Sequence, residues 1–383
     1  MDYNSYLLAE QEYPLAPLQR QAQRLKEAGK DIINLTIGDP KEKTYSPMKN
    51  LICEEVKKMT YSQYPNPAGE LSYLKAVSNW AKQTYNIDYS PQKNIISCNG
   101  SKEAIFSMPL LFNWSKGKEI FIPSLSYPVY ANAAGLMNIP IRYLNVTESS
   151  GFLPNLDKIL PKEWEKCGLF WINSPHNPTT AIASNDYFKQ LLNLADQYGF
   201  LVCSDECYND LYYEDTAPTS CLSFTHHQNW LVFRSLSKRS HMTGFRIGAL
   251  LSKNESLIAT LKKMRSAMGV GTPTFIQKAS ILAWEDMTHA KNNAEQYRSK
   301  RNLIKPILES KGFQVFGGNA GFYFWFSHPE HATSASICQW FLDRNMLIVP
   351  GTAFGPDGEG YVRMIYCETD KIMETVADRI KQM

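Results

Sequence analysis

The segment Ser235-Leu236-Ser237-Lys238-Arg239-Ser240 holds the first residues that suggest covalent chemistry, with Gly244-Phe245-Arg246-Ile247-Gly248 close behind it. A lysine made neutral by apolar surroundings or nearby cations is a nucleophilic amine that can form an imine with a carbonyl. A fixed arginine and two serines can hold a phosphate dianion. Taken singly, Lys238 reads as an exposed loop lysine, but the Ser-x-Ser-Lys-x7-Arg-x-Gly pattern favours the imine. Asp205 lies in Ser204-Asp205-Glu206-Cys207-Tyr208. A buried carboxylate needs a partner, which a pyridinium N–H would supply; a helix cap is the plainer alternative. Tyr208, three residues on, could reach the same ligand. Asn177 sits between two prolines in Ser174-Pro175-His176-Asn177-Pro178, which on its own is turn chemistry. Asn99-Gly100-Ser101-Lys102 opens a helical pattern. It offers unpaired amides and a positive dipole end to a phosphate, or a plain cap by Asn99 or Ser101. The chain has neither a Walker loop nor GxGxxG, which argues against a nucleotide.

These groups need elements that bring them together. Apolar runs predict strands at 94–98, 119–123, 168–173, 200–204, 230–235 and 247–251. Helical patterns at 103–112, 184–198 and 255–268 lie between several of them. Continuous apolar strands separated by helices signal a sheet covered on both faces, hence α/β. Open sheets of this kind bind ligands at the carboxyl ends of their strands. Asn99–Lys102, Tyr127, Asn173–Asn177, Asp205 and Ser235–Lys238 each follow a predicted strand, so five polar groups can meet in one crevice. The last hundred residues read as a smaller α+β unit. Its expected parts are a long helix over 283–310, strands at 313–316, 321–327, 347–349 and 361–366, and a helix over 334–344. The expected division is 46–275 for the large domain and 1–45 with 276–383 for the small one.

A chain of 383 residues suits two domains. With 44% hydrophobic and 20% charged residues, its composition is that of a folded protein, not a disordered one. A net charge of +3 with dispersed basic residues points to neither nucleic acid nor a membrane surface. The opening residues lack a signal-peptide core and no stretch is long and apolar enough to span a bilayer, so a soluble, cytoplasmic protein is expected. Eight scattered cysteines without CxxC pairs suit buried free thiols in a reducing compartment, and seven histidines without HExxH spacing imply no metal site.

Together these segments resemble the class I/II aminotransferases of the pyridoxal phosphate (PLP) fold type I superfamily. The resemblance runs from Asp31-Ile32-Ile33-Asn34-Leu35-Thr36-Ile37-Gly38-Asp39-Pro40 through Tyr64 and Pro67-Ala68-Gly69 to Tyr361-Val362-Arg363, in the family's order and spacing. It implies a large PLP-binding domain with a mostly parallel sheet between helices, plus a smaller α+β domain. It implies that Lys238 carries the cofactor as a Schiff base and moves the substrate proton, and that Asp205 keeps the ring nitrogen protonated. Tyr208 and Asn177 would bond the phenolic oxygen, and Tyr127 would stack on the ring. Gly100, Ser101 and Lys102 amides, Ser235 and Arg246 would hold the phosphate. Tyr64 would reach it from a neighbouring subunit, implying a homodimer with shared sites. Arg363 would clamp the substrate α-carboxylate, with Asn177 and the Gly38 backbone beside it. One departure stands out. The family usually has Gly after Asn-Pro-Thr, whereas this chain has Thr180, which must avoid positive φ or accept strain.

The motifs around Lys238 and Asp205, with Ala320-Gly321-Phe322-Tyr323-Phe324-Trp325, are most similar to N-succinyldiaminopimelate aminotransferases of lysine biosynthesis. Lys102 stands where related prokaryotic aspartate aminotransferases carry a lysine for the distal carboxylate; a solvated helix residue is the plainer reading. The expected reaction is a ping-pong exchange between glutamate and a keto acid bearing a distal carboxylate, N-succinyl-diaminopimelate being one candidate skeleton. Alternatives are an aspartate or aromatic specificity, or a C–S β-lyase of the same fold. A ligand sensor fused to a DNA-binding module is disfavoured, because the resemblance starts near residue 31 and leaves no room for one.

Overall fold

Thirteen strands account for the sheets among the described residues, which in this computed structural model are 1, 3–8, 14–114 and 117–382. Seven of them form the main sheet: β2 (Ile95–Cys98), β3 (Glu119–Pro123), β4 (Ile141–Leu144), β5 (Cys167–Asn173), β6 (Leu201–Asp205), β7 (Trp230–Ser235) and β8 (Gly248–Leu251). Their order is β2-β8-β7-β6-β5-β3-β4, and only β8 runs antiparallel to its neighbours. The fold is α/β, as the alternating apolar runs imply.

Strand periodicity explains why this sheet is buried on both faces. Leu169, Trp171, Cys203, Leu231 and Phe233 enter one core, packed with Ile105, Met108, Tyr130 and Ile258 from covering helices. The alternate residues Phe170, Ile172, Val202, Trp230 and Val232 enter the opposite core, with Trp80, Trp164, Phe188 and Trp284. The expected strands lie within a residue or so of those observed. Strand β4 was not expected: its sequence, IRYL, sits at the sheet edge with three of four residues partly or fully exposed, so it lacks a buried strand's apolar run.

The remaining strands are β1 (Ile33–Asn34), β9 (Gln314–Phe316), β10 (Tyr323–Ser327), β11 (Met346–Leu347), β12 (Val349–Pro350) and β13 (Tyr361–Ile365). An antiparallel sheet of order β12-β13-β10-β9 packs against helices Met287–Ser310, Ser334–Leu342 and Asp370–Lys381. β1 pairs in parallel with β11, so Ile33 and Leu35 join this second core. The single helix expected over 283–310 is two, Thr274–Glu285 and Met287–Ser310. The break falls at Asp286, whose carboxylate leaves the helical path to cap the amide of Thr288 at 2.8 Å. The first of the two, which the expected boundary at 275/276 divides, packs on helices Ser46–Lys57 and Leu71–Tyr85 beside the main sheet.

Candidate active site

The carboxyl ends of β5, β6 and β7 lie side by side. Asn173 is the register partner of Asp205, and Asp205 of Phe233, two residues before Ser235. The chain turns at each of these ends into a loop or short helix, so side chains just past the sheet line one cleft of about 270 Å³. Ser101, Lys102, Tyr127, Asn177, Asp205, Tyr208, Ser235, Lys238, Arg246, Arg363 and Gly38 all line it. A hollow of similar size beside Arg142 and Lys158 brings together no comparable set.

Lys238 lies in the single helical turn Leu236–Arg239 that follows β7, capped by Ser235, whose hydroxyl accepts from the Ser237 amide at 3.1 Å. Its amine donates to the Gly38 carbonyl and stands 5.7 Å from the Phe322 ring. Burial pulls the Lys238 pKa below the usual lysine value, because water no longer solvates the cation. Asp205 is 5% exposed. Its carboxylate accepts from the Tyr130 hydroxyl at 2.8 Å and the Cys207 amide at 3.3 Å. Burial lifts its pKa, while these hydrogen bonds and the Lys238 charge oppose the rise.

Arg363 comes from the other core. At 2% exposure its guanidinium donates to Asn177 Oδ1 at 2.8 Å and to the Thr36 carbonyl at 2.6 Å, and it lies 4.6 Å from both the Tyr323 and Phe354 rings. Its Nε has no hydrogen-bond partner among the described residues. A buried cation with an unspent donor at a cleft wall suits an anionic ligand group. Asn177 is held in turn, its amide donating to Asn173 Oδ1 at 2.7 Å, while Asn173 Nδ2 donates to the Asp205 carbonyl at 2.7 Å. Tyr208 hydrogen-bonds the Tyr323 hydroxyl at 2.5 Å.

At the far end, the helix Ser101–Ser107 starts behind Gly100 with no side-chain cap. Neither expected cap operates: Asn99 Oδ1 accepts instead from Thr272 at 2.7 Å. Gly100 is required at φ +73°, since a Cβ there would stand 2.3 Å from Arg246 Nη2. The guanidinium lies across this turn, donating to the Thr243 carbonyl at 2.8 Å and to the Asn99 carbonyl at 3.2 Å. Arg246 itself has φ 52°. The Gly100 amide, expected at a phosphate, donates to the Cys98 carbonyl at 2.8 Å, which leaves Gly100 the role of the turn. Tyr64 is not brought to the cleft of its own chain; it is fully exposed. Thr180 takes φ 60°. It accepts the strained conformation, and its Oγ1 receives the Gly318 amide at 2.7 Å, tying the Asn177 loop to the turn before β10.

Sequence reasoning gave no role to Tyr130, Tyr323 or Asp39, whose partners Asp205, Tyr208 and Thr243 lie 75, 115 and 204 residues away in the chain. Asn173 and Ser237 stood within the strand-end segments already singled out. Nothing among the described residues gathers three or more metal-binding side chains. No helix there is long and apolar enough to cross a membrane. The eight cysteines are free thiols, six of them buried.

The family model for aminotransferase class I and II matches residues 30–380. An LL-diaminopimelate aminotransferase of Maridesulfovibrio salexigens is 32% identical, over 95% of each chain. One of Aquifex aeolicus is also 32% identical, over 97% of this chain and 96% of its own. Among solved structures, an aspartate aminotransferase from Thermotoga maritima superposes with a TM-score of 0.88 at 25% identity, covering 99% of both chains.

Proposed function

The chain belongs to the class I and II aminotransferases, PLP-dependent transaminases, and from that premise we propose that it exchanges an amino group between glutamate and a keto acid bearing a distal carboxylate. The observation that carries the reading is the meeting of the Lys238 amine, the Asp205 carboxylate and the Arg363 guanidinium in one cleft.

The residues present fit the cofactor. Asp205 offers an acceptor for a protonated ring nitrogen. Ser101, Ser235, Arg246 and the uncapped start of helix Ser101–Ser107 offer donors for a phosphate. When bound, PLP supplies an aldehyde that condenses with amines and a ring that withdraws electrons from the substrate Cα. Lys238 would be the residue joined to the cofactor, and its buried, readily neutralised amine would be the base that takes up and returns the substrate proton. Tyr208 and Asn177, which line the cleft, would hydrogen-bond the phenolic oxygen, and Tyr127 would pack on the ring face. Arg363, with Asn177 beside it and the Gly38 backbone close by, binds the α-carboxylate and so orients the Cα–H bond.

Lys102 lines the same cleft, where a distal carboxylate of the substrate can reach it. The LL-diaminopimelate aminotransferases at 32% identity favour a diaminopimelate skeleton, succinylated or free, within lysine biosynthesis. A homodimer with Tyr64 serving the partner's cofactor phosphate belongs to the same proposal. Val56, Met59, Tyr61, Tyr64 and Leu71, all exposed in one stretch of chain, give it an apolar surface to bury. The two-domain division is part of the proposal as well, with the expected boundary at 275/276 moved past helix Thr274–Glu285, which packs beside the main sheet.

The test loads purified protein with PLP and adds glutamate alone. The expected result is loss of the visible absorption band with stoichiometric 2-oxoglutarate, then recovery of the band on adding a keto acid with a distal carboxylate. No spectral change with glutamate would overturn the donor. Recovery only with acceptors lacking a second carboxylate would overturn the acceptor class, and pyruvate with thiol released from cysteine conjugates would favour a β-lyase.

A further inference from the structure

Tyr130 has no part in the roles assigned so far, yet it touches the most demanding of them. It lies in helix Val129–Leu136, 1% exposed, and its hydroxyl reaches Asp205 Oδ2 at 2.8 Å. A carboxylate only accepts hydrogen bonds, so the phenol must be the donor, and a donated hydrogen bond favours the charged carboxylate over the neutral acid. The other oxygen, Oδ1, receives the Cys207 amide at a longer 3.3 Å, and the Cys207 thiol also hydrogen-bonds this carboxylate. The Tyr130 ring is stacked flat on Trp171, with centroids 4.6 Å apart and planes at 9°, and meets Tyr127 edge-on at 5.8 Å. Held on two sides by aromatic rings, the phenol has little freedom to turn its hydroxyl elsewhere.

We propose that Tyr130 is a positioning residue of the transamination: it holds the Asp205 carboxylate ionised and aimed at the cofactor ring nitrogen, and thereby sets how firmly the cofactor is bound and how fully its ring is protonated. The inference rests on the reading of Asp205 as the ring-nitrogen partner. Tyr130 never meets substrate or cofactor in this scheme; it acts through Asp205 alone. Its loss leaves the Arg363 end of the cleft untouched.

The experiment compares the full-length variants Y130F, W171F, D205N and the double variant Y130F with D205N. Each apo-protein is titrated with PLP, and the loaded proteins are read by the nitrogen-15 shift of isotope-labelled cofactor and by steady-state kinetics. Y130F is expected to weaken PLP binding about tenfold, the scale of one charge-assisted hydrogen bond, and to move the ring nitrogen toward its unprotonated shift. Its kcat falls by about tenfold while the KM for glutamate stays within about twofold. Added to D205N, Y130F costs nothing further, because the residue it acts through is already gone. W171F, which keeps the hydroxyl, leaves the nitrogen shift unchanged. A wild-type shift and affinity in Y130F, or losses that add fully to those of D205N, would overturn the proposal while leaving Asp205 in its role. A wild-type shift and affinity in D205N would overturn the reading of Asp205 itself, and the role of Tyr130 with it.

Discussion

At the scale of single residues, the chemistry depends on burying charged groups without abandoning them. Lys238 and Arg363 are cations in an enclosed cleft, and both spend donors on backbone carbonyls, Gly38 and Thr36. Replacing Lys238 with Ala is expected to lower kcat by about a thousandfold or more, the scale of a lost general base, and to leave the cofactor removable by dialysis. Arg363→Lys is expected to raise the KM for glutamate by about a hundredfold, because an ammonium cannot reproduce a planar fork that already bonds Asn177 and Thr36. Steady-state kinetics with limiting glutamate checks both. Lys238 and Asp205 suggested chemistry from their own segments, whereas Asn177 read alone as a turn residue and Arg363 entered only through the family resemblance; the cleft brings the four together. Tyr130 and Tyr323 were not legible in the sequence. Each is one buried tyrosine among 21, and what marks them is a hydroxyl aimed at a side chain far away in sequence.

At the scale of elements, turns at strand ends do the positioning. Gly100→Ala sets a Cβ against Arg246 Nη2 at a left-handed φ, so the guanidinium must leave its seat. PLP affinity is expected to fall by about tenfold or more, while the fold, held by the sheet, keeps its circular dichroism. Thr180→Val keeps the β-branch at φ 60° but removes the hydroxyl that receives the Gly318 amide. A loss of about 1–2 kcal/mol in urea unfolding is expected, the cost of leaving a buried amide unpaired. Thr180→Ser, which retains the bond, should stay close to wild type. The strands were readable because their apolar runs are continuous, as in Leu169–Ile172 and Leu231–Phe233. Edge strand β4 escaped because half-exposed residues carry no such run, and the break at Asp286 escaped because one capping side chain ends a pattern that is otherwise helical on both sides.

At the scale of the whole molecule, three buried histidines tie stability to pH. Burial holds the pKa values of His176, His241 and His289 down at about 4, against about 6.5 in an unfolded chain. Their rings are also engaged, with Thr179, Tyr297 and Ser240 respectively. Between these values the unfolded chain binds more protons than the folded one. Their contribution is therefore complete above about pH 6.5 and is lost progressively as pH falls toward 4. Urea midpoints measured between pH 7 and 5 should decline on acidification, and replacing His289 with Gln should flatten that decline. A pH-independent midpoint would contradict it. The α/β architecture was legible because alternation of strand and helix sets it, whereas the pairing of β1 with β11, across most of the chain, left no local trace.

The covalent bond at Lys238 is the claim on which the rest depends, and borohydride reduction of the PLP-loaded protein followed by peptide mass mapping tests it most directly. The expected result is cofactor mass fixed to the peptide containing Lys238, and its absence from protein first treated with excess glutamate. Cofactor recovered wholly in free form, or fixed to a different lysine, would contradict the account.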